Sequence, residues 1–274
     1  MQTFSAKILF SDIDGTLLNS QHEMPQAVAK AIRKVEKQGI PFVFVSARMP
    51  KSIRRIQAAA GGHSPVIAYS GALAQDQEGN CLFEETIPAE TAVSICEMAN
   101  AAFPNVCVSI YGGDHWMVLD PEDLWVREEA SITGLCAEQG SSWQAICAKI
   151  PVHKIFCMGM PSEILRLEKA VLDAFPNCDG YRSKDTYLEI VSSAASKANA
   201  LRLFCGRYQY PVETSLAFGD YYNDVEMLRV AGLGVAMGNA PEDVKAAADA
   251  VTESNDLEGV RRFLERIGVL SAAD

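Results

Sequence analysis

The chain has 274 residues, 49% of them hydrophobic and 22% charged, with a formal net charge of −11. That length suits one large domain or two smaller ones, and the composition is that of a folded globular protein. No apolar run reaches the roughly 18 residues of a membrane span. The short N-terminal apolar segment is interrupted by Asp12 and does not read as a signal peptide. No membrane partner is expected, and the negative charge argues against a nucleic-acid backbone as partner but leaves room for a small anion held by local cations. Eight cysteines are scattered without a CxxC spacing. They read as reduced, buried hydrophobes of a cytoplasmic protein.

Residues 7–11 form an apolar run read as a first strand. Residues 25–38 read as a helix: Pro25 suits its first turn, Gly39 its C-terminal end, and Val28, Ile32 and Val35 recur on one face. Ile40 to Val45 is continuous and apolar, as in a buried parallel sheet. A second helix from Pro50 to Ala60 and a third strand from Pro65 to Tyr69 complete a βαβαβ unit. The pattern then changes. A hairpin over 71–84 turns at Glu78-Gly79-Asn80, and residues 88–102 read as a helix. Strands over 105–111 and 115–120 are joined by Gly112-Gly113-Asp114. Further elements are a strand from His153 to Met158, an amphipathic helix from Pro161 to Phe175 and a strand from Thr186 to Val191. Hairpins mixed with two helices indicate an α+β unit. After Ser196 strands and helices alternate again. The fold class expected is α/β: a doubly wound parallel-sheet core, residues 1–83 and 190–274, split by an inserted α+β cap, residues 84–189.

Asp12 and Asp14 stand at the end of the first strand, where Gly15 lets the chain turn away. Residues i and i+2 of an extended chain point to the same side, and open α/β sheets bind ligands at that edge. Two carboxylates about 4 Å apart repel by roughly 4 kcal/mol at an effective dielectric of about 20, so a cation or a shared proton must offset them. Three more segments fall at expected strand or helix ends: Ser46-Ala47-Arg48, Ser196-Lys197-Ala198, and Gly219-Asp220-Tyr221-Tyr222-Asn223-Asp224. The chemistry that uses such a set is phosphoryl transfer. One carboxylate attacks phosphorus, a second acid protonates the departing oxygen, and a lysine and a hydroxyl hold the phosphoryl oxygens. Oxygen-only ligands favour Mg²⁺.

At these residues the chain resembles the haloacid-dehalogenase superfamily, whose first motif reads DxDG[TV]. The match extends over the whole chain to the Cof-type phosphatases with a C2-type (IIB) cap. The resemblance implies that Asp12 is the nucleophile and a metal ligand. Asp14 would be the general acid and base, with its backbone carbonyl on Mg²⁺. Asp220 would be a further ligand, Asp224 a supporting carboxylate, and Ser46, Lys197 and Asn223 the phosphate binders. The pattern departs in several places. Ser46-Ala47-Arg48 replaces Thr-Gly-Arg, Lys197-Ala198 replaces Lys-Gly, Ser70-Gly71-Ala72 replaces Asn-Gly-Ala, and Tyr221-Tyr222 fills a slot more often small or polar.

The function expected is Mg²⁺-dependent hydrolysis of a small phosphorylated metabolite, a sugar phosphate first, through an aspartyl-phosphate. The alternatives are a phosphotransferase or mutase on the same scaffold, or a regulatory protein that keeps the fold without turnover. Arg48, His115, Arg182 and Tyr222 are candidates for substrate discrimination, each weighed against a solvated or structural role. Trp116, Trp125 and Trp143 read as packing residues.

Overall fold

The computed structural model describes residues 4–271. The chain forms two compact units, Met1–Phe83 with Ser196–Asp274, and Glu84–Ala195. In chain order the first unit begins β1 (Ile8–Asp12), α1 (Gln26–Lys37), β2 (Phe42–Val45), α2 (Pro50–Ala60), β3 (Val66–Ala68), β4 (Leu73–Gln75) and β5 (Cys81–Glu84). The inserted unit comprises α3 (Ala89–Ala102), β6 (Cys107–Gly112), β7 (His115–Val118), α4 (Leu124–Thr133), β8 (Glu138–Gln139), α5 (Trp143–Lys149), β9 (Lys154–Met158), α6 (Pro161–Ala174), β10 (Cys178–Lys184) and β11 (Tyr187–Ser192). The first unit resumes with α7 (Lys197–Tyr208), β12 (Ser215–Gly219), α8 (Val225–Val230), β13 (Leu233–Ala236), α9 (Glu242–Ala247), β14 (Ala250–Val251) and α10 (Gly259–Arg266).

The core sheet has the order β14-β13-β12-β1-β2-β3-β4-β5. Its strands pair in parallel from β14 to β3, and β4 then adds antiparallel. Strands buried on both faces read as unbroken apolar runs, as in Ile8-Leu9-Phe10 and Phe42-Val43-Phe44-Val45, all fully buried. One face packs Ile8, Phe10, Val43 and Val45 against Leu201 and Phe204 of α7 and Met227 and Leu228 of α8. On the other, Phe218 meets Phe263 of α10 edge to face, with ring centroids 5.7 Å apart. The order of strands reverses around β1. From β1 the chain builds outward through β2 and β3, and β12 to β14 fill the opposite side. The C-terminal ends of β1 and β12 therefore flank the switch point, where doubly wound sheets leave a ligand crevice.

The inserted unit carries a six-stranded sheet of order β10-β11-β9-β6-β7-β8. Its pairs are antiparallel except β7 with β8. Ile155, Cys157, Leu188 and Ile190 pack with Ile95 and Ala99 of α3 and Ile164 and Leu167 of α6. Three differences from the sequence expectation stand out. The unit has four helices, not two, because α4 and α5 were not foreseen. Strand β10 was also missed. The chain returns at Ser196, not at residue 190, because β11 is paired on both sides within this sheet as far as Ser192. No helix among the described residues is long and apolar enough to cross a membrane. All eight cysteines are free; five are buried, and Cys81 and Cys136 are exposed.

His153 is 1% exposed in the inserted unit. The Gly113 N–H donates to its Nδ1 at 3.2 Å, which leaves the proton of the neutral ring on Nε2, 3.1 Å from Glu84 Oε2. Burial holds the His153 pKa below its ordinary 6.5, and the Glu84 carboxylate only partly opposes this. A histidine with a lowered folded pKa contributes its full stability above the unfolded pKa and loses it as pH falls through about 6.5, because the unfolded chain takes up the proton first. The urea midpoint is expected to fall between pH 7 and pH 5.5, and His153→Gln should flatten that slope. It should also lower stability at pH 7 by about 1 kcal/mol through lost hydrogen bonds. Parallel pH slopes in the two proteins would refute the assignment.

Candidate active site

The turn after β1 begins at Asp12, 7% exposed at the strand's last position. The amides of Leu17 and Leu18 both donate to the Ile13 carbonyl, at 3.0 and 2.9 Å, which closes the turn. Ser46 follows β2, whose Val45 pairs with Asp12 in register, so this hydroxyl lies at the adjoining strand end. It is 2% exposed, and its Oγ accepts the Arg48 N–H at 3.2 Å. Asp220 follows β12, the other neighbour of β1.

Lys197 is the first residue of α7, whose N-cap Ser196 accepts the Asn199 N–H at 3.0 Å. Its ammonium is buried and donates to Asp12 Oδ1 at 2.5 Å and to Asp224 Oδ1 at 2.6 Å. Asp224 is fully buried, and its Oδ2 accepts the backbone N–H groups of Asp220 and Tyr221 at 3.0 and 3.1 Å. Both of its oxygens are thus engaged, and it shapes the loop that presents Asp220. The Asp220 Oδ1 accepts the Thr16 hydroxyl at 2.8 Å.

Asp12, Asp220 and Asp224 each offer a carboxylate oxygen within 4.8 Å of the others. Fully ionised, the three carboxylates would carry two negative charges beyond the one that Lys197 offsets. Burial pushes Asp12 well above the usual carboxylate range, with Asp224 and Asp220 adding to the rise and Lys197 opposing it. Burial likewise pushes Asp220 up to about 6. For Lys197 burial alone disfavours the charge, but Asp12 and then Asp224 overcome it and hold the ammonium above its ordinary value. A buried, oxygen-only set that lacks two positive charges fits a hard divalent cation.

The remaining expected residues fall elsewhere. The Asp14 carboxylate stands outside the trio. Arg48 donates to it from Nε at 2.8 Å and from Nη2 at 2.7 Å. Its implied metal contact runs through the backbone carbonyl, on which the carboxylate grouping does not bear. Asn223 and Tyr222 are exposed in the turn after β12, with the Tyr221 and Tyr222 rings 5.1 Å apart. In the inserted unit His115 is paired with Glu138 at 2.7 Å and Arg182 with Glu168 at 3.0 Å, so each already has a partner within its own unit. Two residues went unforeseen. Thr16 holds Asp220, and Asn239 donates from Nδ2 to the Gly15 carbonyl at 2.9 Å. The Thr after Asp-x-Asp-Gly is part of the first motif and could have been read as a holder of charge. Asn239 carried no signal of its own.

Gly15 adopts φ +81°, and a Cβ built there would stand 2.3 Å from Asp220 Oδ2. Gly15→Ala is therefore expected to lower the unfolding free energy by about 1–3 kcal/mol, from left-handed strain and displacement of the Asp220 carboxylate. An unchanged urea midpoint would show that the turn can re-route without Gly15.

The chain's likeness to known proteins agrees with this geometry. A family model described as haloacid dehalogenase-like hydrolase matches residues 9–264. Phosphatase YwpJ of Bacillus subtilis is 30% identical over 287 residues, covering 95% of this chain and 99% of the relative. The crystal structure of a haloacid dehalogenase-like hydrolase from Bacteroides thetaiotaomicron aligns with a TM-score of 0.87 at 28% identity, covering 96% of this chain and 99% of that one. The subclass IIB sugar phosphatase BT4131 aligns with a TM-score of 0.81 at 25% identity, covering 97% of this chain and 100% of that one. The match extends from the second residue of β1 into α10 and takes in every segment of the charged cluster. The chain belongs to the haloacid dehalogenase-like hydrolases and is an enzyme of their phosphatase kind.

Proposed function

We propose that this protein is a Mg²⁺-dependent phosphatase that hydrolyses a small phosphorylated metabolite, a sugar phosphate first, through an aspartyl-phosphate. The observation that carries the reading is the buried Asp12–Lys197–Asp224 group beside Asp220 at the sheet's switch point. The sugar-phosphate preference rests on the likeness to BT4131, a protein named as a sugar phosphatase.

Asp12 attacks phosphorus. The bond from phosphorus to the leaving oxygen breaks, and an acyl-phosphate forms on the Asp12 carboxylate. Asp14 gives the leaving oxygen its proton, then takes one from the water that attacks the acyl-phosphate. Inorganic phosphate leaves, and both carboxylates return to their starting states. The Lys197 ammonium holds Asp12 in place and offsets charge on the phosphoryl oxygens, and the Ser46 hydroxyl adds a hydrogen bond to them. Mg²⁺ would be held by Asp12, Asp220 and the Asp14 carbonyl, and when bound it supplies positive charge between carboxylates and phosphoryl group. Asp224 supports this set through its bonds to Lys197 and the Asp220 amide. Asn223, exposed in the same turn, is assigned to the phosphate side. Arg48 must yield one of the two Asp14 oxygens it now occupies before that carboxyl can carry a proton to the leaving group.

Chelation of divalent ions should abolish release of inorganic phosphate from a panel of phosphorylated sugars, and added Mg²⁺ should restore it. Turnover that survives exhaustive chelation would refute the reading. Asp12→Asn should remove turnover while keeping the circular dichroism spectrum, because the amide has the carboxylate's shape without its nucleophilicity. Asp14→Asn should slow hydrolysis of a sugar phosphate by about 10² to 10⁴. The loss should be smaller in single-turnover cleavage of an aryl phosphate, whose leaving group departs without a proton. Equal losses on both substrates would remove Asp14 from the acid's role.

A further inference from the structure

Asn239 follows β13 in a loop fastened on both sides. The Met237 N–H donates to the carbonyl of Gly219, the residue before Asp220, at 3.0 Å, and the Gly238 N–H donates to Glu253 at 3.1 Å. The Asn239 side chain is exposed, yet its polar atoms are committed. Nδ2 donates to the Gly15 carbonyl at 2.9 Å and reaches Asp220 Oδ2 at 3.5 Å, while Oδ1 accepts the Asn255 N–H at 3.0 Å. These partners fix the amide's orientation. Turned over, its carbonyl would face two acceptors and its NH₂ a donor. Asn255 is itself buried and donates from Nδ2 to the Leu18 carbonyl at 2.8 Å.

One amide thus bridges the turn that carries Asp12 and Asp14 and the turn that carries Asp220. Thr16 already takes Asp220 Oδ1 at 2.8 Å. The longer 3.5 Å approach to Oδ2 restrains that oxygen while leaving its lone pairs largely open. Groups that hold a ligand carboxylate in this way set its readiness for a cation, and their loss typically weakens metal binding by about 10–100-fold.

We infer that Asn239 is a positioning residue for the divalent cation, acting through Asp220 and the Gly15 carbonyl. The inference rests on the metal reading above and adds to it a residue that touches neither the proposed nucleophile nor the acid. Calorimetric titration of the full chain with Mg²⁺, before any substrate is added, tests it. Asn239→Ala should raise the Mg²⁺ dissociation constant by about 10–100-fold with little change in the metal-free urea midpoint. The phosphatase kcat should return toward that of the unchanged protein at saturating Mg²⁺. Asn255→Ala keeps the backbone N–H that anchors Asn239, so it should lower the metal-free urea midpoint and leave Mg²⁺ affinity unchanged. Unaltered Mg²⁺ affinity in Asn239→Ala, with affinity lost in Asp220→Asn, would overturn this inference and leave the metal reading standing. Unaltered affinity in both would overturn the two together.

Discussion

A single buried ammonium holds the core's site together. Lys197 lies 2.5 Å from Asp12 and 2.6 Å from Asp224, and water reaches almost none of it. Taking such a charge out of water costs several kcal/mol, and only close, well-placed carboxylates recover it. The dependence runs both ways. Without the ammonium, Asp12, Asp220 and Asp224 would meet in a poorly solvated space with nothing to offset them. The interaction also spans the chain's passage through the inserted unit. Lys197 opens the segment that returns after the inserted unit, and its partner Asp12 lies 185 residues earlier. The returning backbone is seated tightly. Gly71, at φ +108°, leaves a path in which a Cβ would come within 2.2 Å of the Ser196 carbonyl. A side chain at that position would press on the peptide group that places Lys197.

The carboxylates around that ammonium have different tasks. Asp224 spends one oxygen on Lys197 and the other on two backbone amides, so it fixes geometry. Asp220 keeps one oxygen lightly engaged and is pushed up to about 6 by burial, which makes proton and cation rivals for the same site. Asp12 holds Lys197 with one oxygen, at the end of a strand buried on both faces. The sheet supplies rigidity, since this carboxylate sits at the terminus of its central strand, paired on both sides.

The core was legible from the sequence because buried parallel strands are continuous apolar runs and the helices between them keep a clear apolar face. The inserted unit was less so. Helix α4 exposes Leu124 and Ile132, which blurs any stripe, and α5 has only seven residues. Strand β10, at a sheet edge, reads Cys-Asp-Gly-Tyr-Arg-Ser-Lys and carries little apolar alternation. Motif spacing singled out Asp12, Lys197, Asp220 and Asp224, which the fold brings together. The rule that i and i+2 share a side did not carry Asp14 into the same cluster, because the strand ends at Asp12 and the chain is already turning. Asn239 and Asn255 were invisible, since each is a single amide whose link to the turn after β1 spans more than 200 residues.

The site therefore joins a fixed ion cluster to a loose ion pair. The Lys197 contacts are buried, and breaking either would strand a charge. The Asp14–Arg48 pair has two good hydrogen bonds but is more than a third exposed on both sides. Water screens a pair this exposed, so it opens more readily than the buried contacts of Lys197, although its two hydrogen bonds must be broken. Under the mechanism proposed above, an acid that must donate and then accept within one cycle needs a partner it can leave. The buried pairing falls among the carboxylates grouped around Lys197, and the partly exposed pairing falls on the carboxylate outside that group.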